Sequence, residues 1–318
     1  MIAWLFRSVD RHQLWANLLH TDWRWLTLAV LLAPAGLVVR ALRWRYLFPP
    51  GSNPPGLGPA IMIGYMVNNV LPLRAGEIVR VYVVSRRWRR EGSFWTAAAT
   101  LIVERVLDSV CIVLILVGLV FLVDVPREVE SAALIVLVID LIGVAVLGAI
   151  AVAPARGRAL VDRLMGRWPA ARQRCLGMFD TFVQGLDGIR TPAHVVPLIA
   201  WTVAVWLVPA LAAWSGLKAA GIDLPWLAGW VVLAFVGLAV SIPSAPGYVG
   251  VFHYGAQLAA GVFGVDKAEG LAFAIIYHAS QFIPVTLVGW IYLIREQMTL
   301  GEAARVGAEE TPPAPSSR

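Results

Sequence analysis

Long runs without charged residues dominate this chain. No Asp, Glu, Lys or Arg occurs in 191–217, 224–265 or 270–294. Each run is longer than the roughly 20 residues that a helix needs to cross the hydrocarbon layer of a bilayer. An apolar helix of this length satisfies its backbone hydrogen bonds without water, so the runs predict several membrane-spanning helices.

The same pattern divides the rest of the chain into straight spans and two interrupted segments. Prolines and glycines interrupt 60–85 and 226–264, where a straight helix would otherwise be expected. The predicted fold class is therefore an all-α, polytopic membrane helix bundle with two broken or re-entrant segments. The straight spans are predicted at 25–39, 94–123, 131–153, 195–216 and 271–294.

The two ends of the chain differ from this central part. Residues 1–24 mix Trp and Leu with Arg and Asp, which predicts an amphipathic segment at the membrane interface. Residues 25–295 form the predicted transmembrane domain. The segment 296–318 is rich in proline and serine towards its end and is predicted to be a disordered cytoplasmic tail.

Composition and charge exclude a soluble protein and set an orientation. Hydrophobic residues make up 59% of the chain, charged residues 14%, and the mean hydropathy is +0.72. The net charge of +6 sits in loops beside the predicted spans, which favours anionic lipid headgroups over nucleic acid. Sixteen basic residues lie in the loops on one predicted side and three on the other. The positive-inside rule then predicts a multi-pass protein of the cell inner membrane with a cytoplasmic C-terminus.

The two interrupted segments share a short sequence pattern. Both read apolar-Pro-x-x-x-Gly, so that Pro72 aligns with Pro243 and Gly76 with Gly247. Each copy lies between two predicted spans, and the loop charges give the copies opposite orientations. Inverted repeats of this kind place broken helices near the bilayer midplane, where free helix ends face a substrate. We predict an inverted repeat with two re-entrant hairpins that face each other.

Charged residues inside the first interrupted segment are the first candidates for function. Arg74, Glu77 and Arg80 are spaced by three, so they share one face if a helix resumes after Gly76. A guanidinium there would bind a phosphate through two hydrogen bonds, with Glu77 holding it in position. The alternative is a purely structural Arg–Glu clamp that fixes the hairpin.

The span that follows also carries charge. Glu104 and Asp108 share a face of the predicted helix, and Arg105 projects from a different face. The carboxylates are expected to pair with Arg74 or Arg80 in a buried network, since charge in hydrocarbon is tolerated mainly toward a polar interior. A carboxyl that carries a proton for coupled transport is the alternative.

Five further polar side chains fall within predicted membrane segments. Asn68 and Asn69 would contact a headgroup or satisfy backbone groups freed by the break, and the second role is favoured. His253, Tyr277 and His278 form a second-rank set in the other half, where buried neutral histidines are the commoner case. The five histidines of the chain lack metal-ligand spacing, and no cofactor fingerprint occurs. Neither a metal nor a cofactor is predicted.

The chain resembles the lysylphosphatidylglycerol synthase transmembrane-region family, also called the flippase-like domain family. The resemblance covers nearly the whole chain. It is carried by the Asn68–Arg80 string with its P-x-R-x-G-E-x-x-R pattern, by Glu104-Arg105-Val106-Leu107-Asp108, by Pro246-Gly247-Tyr248-Val249-Gly250 and by Arg43-Trp44-Arg45. In full-length synthases this region precedes a soluble aminoacyl-transfer domain and is implicated in moving the charged lipid between leaflets. Residues 1–318 show no counterpart of that domain, so the resemblance implies lipid handling rather than lysyl transfer.

Three hypotheses of function follow. The first is translocation of an anionic phospholipid or an isoprenoid-linked lipid, with the residues above forming the lipid path. The second is an integral-membrane transferase that uses a polyprenyl-phosphate donor, with Glu77, Glu104 or Asp108 as base. The third is a scaffold subunit of a lipid or hopanoid pathway. The expected partner is a membrane lipid, with further copies of the chain or lipid-biosynthesis enzymes as protein partners.

Overall fold

The computed structural model of the protein describes residues 11–71, 74–90, 92–124, 127–241 and 245–308. Within these ranges the chain is helical and contains no strand, which confirms the predicted all-α membrane bundle. The helices are α1 (Arg11–Leu19), α2 (Trp23–Arg45), α3 (Leu57–Val70), α4 (Gly76–Trp88), α5 (Ser93–Val120), α6 (Arg127–Val152), α7 (Pro154–Leu164), α8 (Pro169–Gly185), α9 (Asp187–Arg190), α10 (Pro192–Ala219), α11 (Leu227–Ser241), α12 (Val251–Gly261), α13 (Lys267–Arg295) and α14 (Leu300–Ala308).

Four stretches of helix in the described ranges are long and apolar enough to cross a membrane: Trp23–Arg45, Leu134–Val152, Pro192–Ala219 and Lys267–Arg295. On α6 the side chains of Leu134, Ile135 and Ile139 are more than half exposed. Such a surface is stable in lipid, whose tails are as apolar as these side chains. In α5, by contrast, three charged residues interrupt an otherwise apolar sequence of 28 residues.

The first interrupted segment folds into a hairpin of α3 and α4. The two helices cross so closely that a Cβ on Gly76 would lie 1.8 Å from the carbonyl oxygen of Gly64. At the other end of the hairpin, a Cβ on Gly56 would lie 2.5 Å from Cδ of Arg87. The start of α3 and the end of α4 therefore lie side by side, as expected of a segment that enters and leaves on one side.

The second interrupted segment folds into a similar hairpin of α11 and α12. A short 3₁₀ turn at Pro246–Tyr248 follows the break, with Gly247 in the left-handed region at φ 66°. Gly250 has φ 98°, and α12 begins at the next residue. In the middle of the hairpin Gly255 packs against Phe235 and Val236 of α11. These positive φ angles explain why glycines interrupt the apolar sequence here.

Each hairpin has its own hydrophobic core. Trp44, Phe48 and Ile61 are among the fully buried side chains of the core around α3 and α4. Phe235, Phe252 and Phe273 belong to the core around α11 and α12. The molecule thus consists of two packed halves, with the long helices α2, α10 and α13 in contact with one another beside them.

The structure differs from the predicted segment boundaries at two places. The first span does not end at residue 39, because α2 continues to Arg45. The prediction of disorder from residue 296 is wrong for α14, in which Ala303 and Val306 are buried and Glu302 pairs with Arg86 of α4. This helix forms because its apolar side has a surface to cover. The first ten residues of the predicted interfacial segment lie outside the described ranges.

Candidate functional site

A cluster of charged side chains lies at the junction of α2, α4 and α5. Arg43, Arg80 and Glu104 have side chains that are at most 1% exposed, and the Asp108 side chain is 10% exposed. Arg40, at 15% exposed, lies at the edge of this cluster. Burial of this many charges is costly, so each must be paired with a partner of opposite sign.

Asp108 is held by two arginines of α2. Nη1 of Arg43 donates to one of its carboxylate oxygens at 2.6 Å, and Nη1 of Arg40 donates to the other at 2.8 Å. The spacing of 40 and 43 places both guanidinium groups on one side of α2, one turn apart. The end of α2 is therefore attached to α5 by two charge-assisted bonds.

Glu104, one turn earlier on α5, holds the first hairpin. Arg80 of α4 donates from Nη2 to Oε2 at 2.5 Å and from Nη1 to Oε1 at 3.4 Å. The Arg80 guanidinium also lies 4.8 Å from the ring centroid of Trp44, whose Nε1 donates to Thr100 at 2.9 Å. The predicted pairing of Glu104 with Arg80 is confirmed.

The cluster has an excess of positive charge. Three arginines face two carboxylates, which leaves one positive charge without a carboxylate among the described residues. Nε of Arg43 and Nε of Arg80 are buried without a hydrogen-bond partner. Nη2 of Arg43 also lacks one, although it lies 3.4 Å from Oε1 of Glu104. An anion that approached this cluster would meet a net positive field.

A second ion pair lies beside the cluster and is more open. Arg105 of α5 lies 3.0 Å from Glu77 of α4, and the two side chains are 34% and 21% exposed. Tyr65 of α3 is partly buried nearby, with its ring centroid 5.9 Å from the guanidinium carbon of Arg40. Glu77 thus pairs with an arginine of the next helix and not with one of its own segment.

Arg74 has a different position from the one predicted. It precedes α4, with φ 54° in the left-handed region, so it does not share the helical face of Glu77 and Arg80. Its Nη2 donates at 2.6 Å to the carbonyl oxygen of Val240 at the end of α11, and its guanidinium lies over the ring of Tyr248. Of the two arginines predicted as alternative partners of the carboxylates, Arg80 pairs with Glu104 and Arg74 does not take that role. Arg74 connects the two hairpins instead.

The asparagines hold the break in the first hairpin. Asn68 accepts a hydrogen bond from the backbone N–H of Gly76 at 2.9 Å, which satisfies a free donor at the start of α4. Asn69 donates to Thr286 of α13 at 2.9 Å. The favoured role, satisfaction of backbone groups at the break, is confirmed for Asn68. Pro72 lies outside the described residues.

The polar set of the second half forms a separate group. The ring centroids of His253 and His278 are 4.7 Å apart, and Nε2 of His278 lies 2.9 Å from the carbonyl oxygen of Gly247. Tyr277 is buried between two aromatic side chains. Its ring centroid lies 5.3 Å from that of Phe252 and 5.7 Å from that of Phe273.

The glycines and prolines of the second turn have different positions. Gly247 and Gly250 are buried in the turn, and Pro246 is exposed. Gly247 packs against the backbone of Asn69 in the first hairpin. Pro243 lies outside the described residues. The glycine-rich turn therefore brings the second hairpin against the first.

Sequence reasoning missed Arg40, Arg43 and Tyr65 as site residues. It assigned the two arginines to a basic loop because the apolar run stops at residue 39. Their spacing would have identified the arginines. Arg40 and Arg43 are three residues apart, and Glu104 and Asp108 are four apart, so each pair lies on one face of its helix and the two faces can meet. Within the described ranges no three His, Cys, Asp or Glu side chains gather to hold a metal ion.

Comparison with known proteins supports the sequence resemblance. No solved structure matches the chain. One curated relative, the protein named Glycosyltransferase AglD of Haloferax volcanii, is 27% identical over 263 residues, which is 73% of this chain and 42% of the relative. The chain thus spans less than half the length of that protein. The family described as "Lysylphosphatidylglycerol synthase TM region" matches residues 1–289, and the chain therefore belongs to this family.

Proposed function

We propose that the protein binds the phosphate of an anionic phospholipid or an isoprenoid-linked lipid at the junction of α2, α4 and α5 and moves that lipid across the inner membrane. The observation that carries this proposal is the buried cluster with more arginines than carboxylates, at the junction of α2, α4 and α5. Charge inside a membrane protein is expensive and is usually retained for a polar ligand or path.

The open side of the cluster supplies the lipid-binding groups. Arg105, Glu77 and Arg40 remain partly exposed, whereas Arg43 and Arg80 are enclosed. In the proposed complex the phosphate binds Arg105 and Arg40, and the enclosed arginines add a positive field. The bidentate geometry of a guanidinium suits phosphate oxygens.

The contact between the hairpins supports movement rather than binding alone. Arg74 of the first hairpin bonds to Val240 of the second, and Gly247 of the second packs on Asn69 of the first. In inverted-repeat transporters, access alternates when one repeat rocks against the other around a fixed site. In this proposal the Arg74 bond breaks and reforms as the hairpins move, with the basic loops and C-terminus on the cytoplasmic side.

A second candidate function is glycosyl or other group transfer within the membrane, because the relative named above is called a glycosyltransferase. A transferase needs a carboxylate that accepts a proton. Glu104 lies within ion-pair distance of three arginines and Asp108 of two, so the oxygens of both carboxylates are already engaged. Glu77, with one arginine partner and a partly exposed side chain, is the best-placed base for that reaction.

The test of the proposed function is lipid translocation in liposomes that contain the purified protein. Fluorescent anionic phospholipid and fluorescent polyprenyl phosphate serve as probes. Arg105→Ala and Glu77→Gln should each slow translocation by about tenfold or more, because the first removes a phosphate contact worth about 1.5–3 kcal/mol and the second removes the partner that positions Arg105. The matched control is Arg158→Ala, which removes an exposed pair with Asp180.

The outcomes distinguish the candidates. Loss of translocation in the site variants with wild-type rates in the control supports the proposal. Wild-type protein that moves neither lipid, but yields a new lipid-linked product with a polyprenyl-phosphate donor, would favour the transferase. Wild-type protein that neither moves lipid nor forms a product would contradict both candidate functions and favour the hypothesis of a scaffold subunit.

A further inference from the structure

Two histidines are in contact beside the turn of the second hairpin, within uncharged stretches of the chain. His253 on α12 and His278 on α13 are half-buried, with ring centroids 4.7 Å apart. No Asp, Glu, Lys or Arg occurs in 224–265 or 270–294. The pair is therefore the group in these two stretches whose charge can change by uptake of a proton.

Hydrogen-bond partners assign the tautomers of both rings. The carbonyl oxygen of Gly247 can only accept, so Nε2 of His278, at 2.9 Å, carries the hydrogen. The backbone N–H of Gly250 can only donate, so Nδ1 of His253, at 3.4 Å, is the unprotonated nitrogen. In the neutral pair each ring therefore carries its hydrogen on Nε2.

The two rings respond differently to an added proton. His278 can accept the proton at Nδ1 and keep its bond to Gly247, which becomes a stronger, charge-assisted bond. His253 can accept one only at Nδ1, where it would lose the bond from Gly250. A positive charge on His253 would also lie at the start of α12, where the helix dipole opposes it. Once one ring is charged, like-charge repulsion opposes the second proton.

We infer that His253 and His278 form a single-proton binding site at the turn of the second hairpin, with Nδ1 of His278 as the atom that accepts the proton. The protonated ring binds Gly247 more tightly and so holds the turn in the position described here. Since Gly247 packs on Asn69 of the first hairpin, the proton stabilises the contact between the two hairpins.

Few other groups near this pair can titrate or carry charge. The helix α11 has none, α13 contributes Tyr277, and α12 contributes Tyr254, which faces outward. The turn contributes Tyr248, and Arg74 of the first hairpin lies over that tyrosine. Tyr65, Glu77 and Arg105 also lie close enough to Tyr248 to interact with it electrostatically. Phenols ordinarily titrate far above neutral pH and arginine stays charged, so the histidines are the candidates for a pH response in this region, and the histidine variants separate their response from that of the carboxyl group.

The first arm of the test measures the proton itself. The full chain with ¹⁵N-labelled histidine is studied by NMR as the pH is lowered from about 8 to the lowest value at which the protein stays folded, with His253→Gln and His278→Gln used for assignment. Glutamine keeps a donor for Gly247 and an acceptor for Gly250, so both variants are expected to fold. The expected result is uptake of one proton, at His278, with both neutral rings in the Nε2–H form. Two neutral rings throughout, or one proton taken up by each ring, would overturn the inference.

The second arm measures transport, and only this arm rests on the proposed function. Translocation by the wild type should slow as pH falls, because the protonated turn resists movement, and His278→Gln should remove this pH dependence. The control variant is His194→Gln, which changes a histidine that is bonded to Tyr46 outside this region. This variant should keep the pH dependence of the wild type. A His278→Gln protein with wild-type pH dependence would overturn the coupling. A wild type without translocation would contradict the proposed function and leave the NMR result to decide the proton site.

Discussion

At the scale of single residues, burial separates arginines that the sequence presents as alike. Arg43 and Arg45 flank Trp44, yet Arg43 is fully buried against Asp108 and Arg45 is exposed, with Asn53 as partner. Removal of one partner from a buried ion pair leaves an uncompensated charge and costs about 3–5 kcal/mol, whereas exposed pairs contribute about 0–1 kcal/mol. The same substitution therefore has different consequences in the cluster and on the surface.

Glu104→Gln should lower the free energy of unfolding by about 3–5 kcal/mol, because Arg80 and Arg43 lose their shared carboxylate. Asp180→Asn, which removes the exposed partner of Arg158, should change it by about 0.5 kcal/mol or less. Denaturation in mixed micelles, followed by tryptophan fluorescence, measures both. Equal effects of the two substitutions would contradict the buried network.

Gly76→Ala should prevent the close crossing of α3 and α4. The added Cβ would lie 1.8 Å from a backbone oxygen of Gly64, and a backbone atom cannot move aside as a side chain does. Gly118→Ala on α5 is the control, because no atom lies within 4 Å of that Cβ position. Yields of monodisperse protein and melting temperatures are expected to fall for Gly76→Ala alone. A normal yield of the Gly76 variant would argue against the crossing.

At the scale of elements, the apolar runs and the proline–glycine breaks were sufficient to predict five long helices, four of which contain a stretch that can cross a membrane, and both hairpins. The sequence pattern did not reveal that α2 continues past residue 39, because charges that are paired inside a bundle resemble the charges of a loop. It also aligned Gly76 with Gly247, although Gly76 opens a helix and Gly247 lies in a left-handed turn. In the first hairpin, Arg74 has the left-handed conformation. A local pattern cannot specify such details, which depend on contacts between distant segments.

The helix α14 was missed for a related reason. Its sequence is short and rich in small residues, and its stability comes from α4, on which Ala303 packs without exposed surface. Ala303→Asp would place a charge in that contact and should release the helix. Trypsin is then expected to cut after Arg305 faster than in the wild type. The exposed substitution Gly301→Asp should leave the cleavage rate unchanged, and faster cleavage in both variants would contradict the docking.

At the scale of the whole molecule, contacts between distant segments assign loops to two ends of the bundle. Asp22 donates from its backbone to Ala219 at 2.9 Å, so the start of α2 and the end of α10 lie together. At the other end, Gly56 lies against Arg87, and Arg87 pairs with Glu296. The basic loops cluster at this second end, which is the proposed cytoplasmic side.

Sidedness can be tested with engineered cysteines after replacement of Cys111 and Cys175 by serine. Cysteine at Asp223 should react with a membrane-impermeant thiol reagent added outside the cell. Cysteine at Asp180 should react only after the membrane is opened. Labelling of both positions from the same side would contradict the arrangement.

In the proposed function, a lipid phosphate lies beside the arginine cluster at membrane depth. Photocrosslinking tests this position most directly. A photoreactive amino acid replaces either Tyr65, next to Arg40, or Leu134 on the exposed apolar surface of α6. The crosslinked lipids are then identified by mass spectrometry. The Tyr65 position is expected to capture phosphate-bearing anionic lipid in excess over its share of the membrane, and Arg105→Ala should remove the excess. Leu134 should capture lipids in proportion to the bulk. Identical lipid profiles at the two positions would contradict the proposed lipid site.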